Sequence, residues 1–137
     1  MAINFFNEDI DFTLESNARI KNWIRKVIQG KGFAEGTINY IFCSDNYLLD
    51  LNVKYLEHDT YTDIITFDYT NEKVLSGDIF ISIDRVKENS ENYNTSFHDE
   101  LRRVIIHGIL HLTGLKDKTE SESLNMRKNE NQCLELY

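Results

Sequence analysis

Two histidines, a glycine and an aspartate in the stretch HGILHLTGLKD, residues 107–117, are the residue types from which a metal site is built. His107 and His111 are four positions apart. On an α-helix, with about 100° between successive residues, their imidazoles stand about 40° apart on one side, so both can reach one ion. Gly114 follows, and without a Cβ it can turn the chain through a left-handed conformation. Asp117 is then placed to bring a third donor from beyond the turn, in the pattern H-x3-H-x5-D. Two imidazoles and a carboxylate favour zinc, with nickel, iron and copper left open. Three protein ligands leave a coordination position for water, which marks a catalytic site rather than a structural one.

A metal lowers the pKa of bound water to about 7, so the expected reacting group is a metal-bound water, with no side chain singled out as catalytic. Zinc peptidases of the helical type use H-E-x-x-H, where the Glu beside the first His is the general base; here that position is Gly108, and the peptidase reading lacks its base. A His-His-carboxylate iron oxygenase needs another spacing and a barrel. Phosphodiester hydrolysis stays open, because a metal and nearby cations can offset the extra negative charge. Glu100 lies on the same helical stripe seven positions before His107. A solvated or ion-paired glutamate is the expectation there, a supporting role beside the ligands the alternative.

The elements that must position these groups follow from periodicity and stop signals. Ile3–Phe6 reads as a short strand. Leu14 to Gln29 reads as a helix with Ala18, Ile20, Ile24, Val27 and Ile28 roughly on one side, ended by Gly30 and Gly32. Thr37–Cys43 alternates as a strand. Ser44 offers an N-cap to a helix over Asp45–Tyr55, anchored by Leu48, Leu49 and Leu51. Asp63–Tyr69 and Gly77–Ile83 read as an antiparallel pair joined through residues 69–76. Asp84–Asn92 starts a helix, and Ser96 caps a long one from Phe97 to Thr113. Its apolar arc is Leu101, Val104, Ile105, Gly108 and Leu112, with both histidines on the flank. Ser121–Glu135 closes the chain as a polar helix. The fold class this predicts is α+β: a small mixed β-sheet packed against helices, with the metal site at the C-terminal end of a long helix.

The 137 residues, 41% hydrophobic with eight Phe, seven Tyr and one Trp, suit one domain over 1–137 and exclude a disordered chain. No apolar run approaches the ~20 residues of a membrane span. The start, MAINFFNEDIDF, lacks the parts of a signal peptide, so a cytoplasmic location is expected. Two cysteines outside any C-x-x-C pair give neither a disulfide framework nor a thiolate cluster, and Cys43 reads as a small core hydrophobe. Twenty-three acidic against fifteen basic residues, a net charge of −8, argues against sequence-blind coating of nucleic acid but leaves room for a local basic groove.

HGILHLTGLKD resembles the H-G-x-L-H-L-x-G-x-D-H signature of the YbeY family, bacterial rRNA maturation factors described as metal-dependent, single-strand-specific endoribonucleases. YTDIITF (residues 61–67) is similar to that family's P-T-[DN]-V-L-S-F, and SGDIFI (residues 76–81) to its L-G-D-I-x-I, in the same order. The resemblance implies that His107 and His111 are metal ligands and that Asp117 stands in for the usual third histidine. It also implies ribosomal RNA as substrate, with a small-subunit ribosomal protein and an Era-type GTPase as partners. Tyr55–Leu56 replaces the family's Tyr-Arg, and Tyr61 its Pro; Lys54, Lys116 and Lys118 are the candidates to supply the missing cation.

Of three basic clusters, Lys116–Lys118 with Arg127–Lys128 borders the metal loop, so Lys116 and Lys118 are the candidate RNA contacts, with Tyr55 and Tyr61 available for base stacking. Asp63 and Asp78 are expected to serve structure, in a turn and at a strand end. The leading expectation is a zinc-dependent endoribonuclease of rRNA processing and small-subunit maturation. A non-catalytic ribosome-assembly adaptor that keeps the metal site is the alternative.

Overall fold

The computed structural model describes residues 2–57 and 60–137. Among these, four strands and five helices follow in the order β1 (Ala2–Asn7), α1 (Asn17–Gly30), β2 (Ala34–Cys43), α2 (Asp45–Leu56), β3 (Ile64–Asp68), β4 (Val74–Ser82), α3 (Ile83–Asn92), α4 (Phe97–Leu112) and α5 (Glu120–Leu134). The strands form one mixed sheet in the order β1-β2-β4-β3. β1 and β4 each run parallel to β2, and β3 runs antiparallel to β4. The α+β class with a mixed sheet against helices, and the antiparallel β3–β4 pair, are as the sequence predicts. No helix of the described residues is long and apolar enough to cross a membrane.

Alternation along β2 decides which face is which. Ile38, Tyr40 and Phe42 are almost fully buried and join Ile3, Leu75, Ile79 and Ile81 in the core under α1 and α4. On the other face Cys43 and Ile65 pack with Leu48 of α2. Leu48 is the buried anchor of α2, while Leu49 and Leu51 are half-buried. Cys43 is a core residue as expected, and burial pushes its thiol up to about 12. Asn4, Asn39 and Asp78 stand in register on neighbouring strands and form a side-chain ladder: Asn4 donates to Asn39, and Asn39 donates to Asp78, each at 3.0 Å. Asp78 thereby serves structure, as its sequence position implies.

The most telling boundary differences from the periodicity reading are three. Helix α1 begins at Asn17 rather than Leu14, because Ser16 takes a left-handed conformation, φ 57°. Strand β4 begins at Val74, where Leu75 continues the inward period and pairs with Glu35. At its other end Ser82 accepts a hydrogen bond from the Arg85 amide at 3.1 Å, so Ile83 opens α3 instead of ending β4.

The helix carrying the histidines is fixed from several sides. The Ser96 hydroxyl caps its start, accepting from the Asp99 amide at 3.0 Å. The buried Tyr40 hydroxyl donates to the Ile105 carbonyl at 2.8 Å, tying α4 to β2. Gly114, at φ 105°, turns the chain out of the last helical turn. Where α4 crosses the sheet, Gly77 leaves no space for a side chain. A Cβ there would lie 2.6 Å from the Phe67 carbonyl oxygen and 2.9 Å from Leu112.

Gly77→Ala is therefore expected to cost about 1–3 kcal/mol, read as a lowered urea midpoint with an unchanged slope. Cys43 should resist thiol reagents at pH 8 until the protein unfolds; labelling at that position in native protein, followed by mass spectrometry, would contradict its placement.

Candidate metal centre

The last two turns of α4 present both imidazoles at the mouth of a cleft of about 710 Å³ between α4, α5 and β3. The rings lie nearly perpendicular, centroids 4.5 Å apart. Gly114 returns the chain so that Asp117 Oδ2 stands 3.2 Å from His107 Nε2 and 3.4 Å from His111 Nε2. Donor atoms of the three residues all lie within 4.8 Å of one another.

Each ring is held by its other nitrogen. His111 Nδ1 is 2.9 Å from the Leu115 carbonyl oxygen. A carbonyl only accepts, so Nδ1 carries a proton, which leaves Nε2 as the nitrogen available to a metal. His107 Nδ1 is 2.6 Å from Glu130 Oε2, with the same consequence. Both Nε2 atoms and a carboxylate oxygen then face one point, and with the rings neutral they would present two lone pairs and an oxygen to a cation held among them. The N, N, O donor set fits zinc and its neighbours, so a divalent metal is compatible with the residues present.

Glu130, 4% exposed on α5, is itself neutralised. Arg103 Nη1 donates to its Oε1 at 3.0 Å, and Arg127 Nε lies 3.7 Å from the same oxygen. Burial raises the Glu130 carboxyl, but the hydrogen bond and charge of His107 and the contact with Arg103 outweigh it and hold it below the usual carboxylate range. Burial lowers His107, but the bond to Glu130 and the charges of Glu130, Asp117 and Asp63 raise it overall. Asp63 and Glu100, both on the cleft wall, are pushed up chiefly by burial.

His107, His111 and Asp117 thus come together as the spacing implies. Lys118 lines the cleft, whereas Lys116 is exposed outside its lining. Leu56, at the position of the family arginine, lines it too. Tyr55 and Tyr61 are more than half exposed, but each has a partner: Tyr55 packs edge-on against Phe67, and the Arg85 guanidinium lies over Tyr61. Glu100 is not solvated; it is 5% exposed with Arg103 Nε 4.0 Å away, so the ion-paired expectation describes it. Glu130, Arg103 and the cleft-facing Asp63 are additions that spacing around the histidines does not give. A signal for Glu130 exists: Met126, Glu130 and Cys133 are the buried stripe of α5, and a glutamate on an apolar stripe requires a partner.

A mixed sheet under a helix that ends in a histidine pair, with a carboxylate returning to it, defines an α+β protein with a candidate mononuclear metal centre. The chain belongs to the YbeY family, whose model, described as Endoribonuclease YbeY, matches residues 3–137. It is similar to the Endoribonuclease YbeY of Flavobacterium psychrophilum, 48% identical over 132 residues that cover 96% of this chain and 94% of the relative. With that of Christiangramia forsetii it shares 51% over 135 residues, covering 98% and 94%. The solution structure of TM1509 from Thermotoga maritima matches with a TM-score of 0.68 at 28% identity, covering 98% of this chain and 88% of that one. The family implied by the three motifs is borne out, and the relatives carry the enzyme class that the motifs imply.

A carboxylate that fixes a ligating ring typically governs metal affinity by 10–100-fold. In Glu130→Gln the affinity for cobalt(II), followed by its visible absorption, is expected to fall by about that factor while the far-UV circular dichroism is kept. Unchanged affinity would remove Glu130 from the site.

Proposed function

We propose that the protein is a metal-dependent endoribonuclease, one domain over residues 1–137, that cuts single-stranded RNA during rRNA processing and small-subunit maturation in the cytoplasm. His107, His111 and Asp117 hold the ion, zinc in the first instance. The observation that carries this reading is the convergence of two Nε2 atoms on one Asp117 oxygen at 3.2 and 3.4 Å, beside a cleft of about 710 Å³. A divalent ion bound there supplies Lewis-acid activation of water and of a phosphoryl oxygen.

The chain's own contribution is to orient and to offset charge. Glu130 and the Leu115 carbonyl keep both rings facing the cleft. Lys118, Arg103 and Arg127 line the same space, where an RNA phosphate needs positive charge. They line the same cleft as Leu56, which brings no cation there, and Lys118 is the RNA contact favoured over Lys116. Family membership supports an RNA substrate; a ribosomal small-subunit protein and an Era-type GTPase enter as partners only through the family resemblance.

The test is cleavage of a labelled single-stranded oligoribonucleotide by purified protein whose metal content has been measured. Activity is expected to vanish with a chelator, to return with zinc, and to drop by more than about 100-fold in the His107→Ala, His111→Ala double variant. Full activity in that variant would refute the assignment. The adaptor reading draws on Leu56 in the cleft wall; it predicts ribosome association that survives the double substitution, with no cleavage by the unaltered protein.

A further inference from the structure

The metal cleft continues past the ligands. A second cavity of about 560 Å³ adjoins it, and the two share Tyr93, Glu100, Arg103 and Arg127. Most charges on this path are committed. Arg103 bonds Glu130 at 3.0 Å, and Arg102 bonds Asp99 at 2.6 Å while lying over the Tyr137 ring. The acidic groups of the second cavity are offset in turn, Asp99 by Arg102 and the buried Glu100 by Arg103 at 4.0 Å.

Arg127 and Tyr93 differ from these. The Arg127 side chain is 56% exposed, and its Nε stands 3.7 Å from Glu130, beyond hydrogen-bond distance. Tyr93 is 64% exposed at the end of α3, and among the described residues its ring meets no other ring and no cation. An open aromatic face and a half-exposed guanidinium, in ion-pair but not hydrogen-bond contact with Glu130, thus both line the junction of the two cavities. That pairing suits a nucleotide: any base can stack on a tyrosine, and a guanidinium donates to phosphate in a fork. It requires an unstacked strand, since a base inside a duplex offers no free face.

We infer that Tyr93 and Arg127 form a nucleotide subsite beside the metal centre, in which a base of single-stranded RNA stacks on the Tyr93 ring while the adjoining phosphate takes the Arg127 guanidinium. This rests on the endoribonuclease reading above and adds where the flanking strand runs: over the junction and into the second cavity.

The test measures binding of the full chain to a dinucleotide and to a single-stranded oligoribonucleotide of about 12 nucleotides, by fluorescence anisotropy in chelator. Tyr93→Ala should weaken the longer ligand by about 5- to 100-fold and leave the dinucleotide unchanged. Tyr93→Phe should restore the loss, and cobalt(II) affinity should be the same in both Tyr93 variants. Arg127→Ala should weaken the longer ligand and reduce its salt slope by about one. Equal binding by Tyr93→Ala and the unaltered protein, or a loss that phenylalanine does not repair, would overturn the subsite while the endoribonuclease reading stands on its cleavage assay. Absence of RNA binding and of cleavage in the unaltered protein would bring down both.

Discussion

The contact between α4 and the sheet at Gly108 sets the position of everything in the site. A Cβ there would lie 3.0 Å from Ile79 and 3.2 Å from Ile64, so the helix rests on the strands at this residue with its backbone. His107 and His111 flank that line of contact and emerge at the edge of the core, half-buried rather than inside it. The same contact explains why the peptidase pattern is absent. A glutamate at position 108 would start against Ile79 and Ile64 in the core, so the packing disfavours a base at this position.

Around that helix end the protein gathers carboxylates that would repel one another in isolation. Asp63, Asp68, Glu100, Asp117 and Glu130 line one cleft together with Arg103, Arg127 and Lys118. Burying ionised groups is costly unless each finds a partner, and Glu130 finds two, an imidazole N–H and a guanidinium. Asp117 stays partly exposed and has the histidine Nε2 atoms as its partners. Such an excess of oxygen donors is what a bound cation would relieve, and Lys118, Arg103 and Arg127 bring positive charge into the same cleft.

How far the sequence foretold this depends on whether each signal is local. The serine caps at 44 and 96, the inward alternation of β2 and the apolar arc of α4 are local patterns, and they appear where the residues imply. H-x3-H-x5-D is also local, because the helix and the glycine turn relate its members. The capping box of Thr119 and Glu122 is legible in the same way and sets α5 one residue before Ser121. What periodicity alone does not provide is docking. Ala34 and Glu35 have weak strand preference and enter β2 because Val74 and Leu75 of β4 pair with them, while Gly36 falls in the register shift that follows. Glu130 and Arg127 reach the cleft only because α5 folds back onto α4. The antiparallel pair was legible, whereas the parallel arrangement of β1, β2 and β4 is set by the crossovers and not by any single segment.

The chain's one tryptophan sits where α1 meets the C-terminal helix. Trp23 is 2% exposed, gives its indole N–H to the Cys133 carbonyl at 2.7 Å, and meets Tyr137 edge-on. The helix that it touches is the one that delivers Glu130 to His107. The molecule therefore carries its own optical gauge: the colour of a single indole's emission reports whether the last fifteen or so residues are seated, and with them the group that steadies one of the two imidazoles.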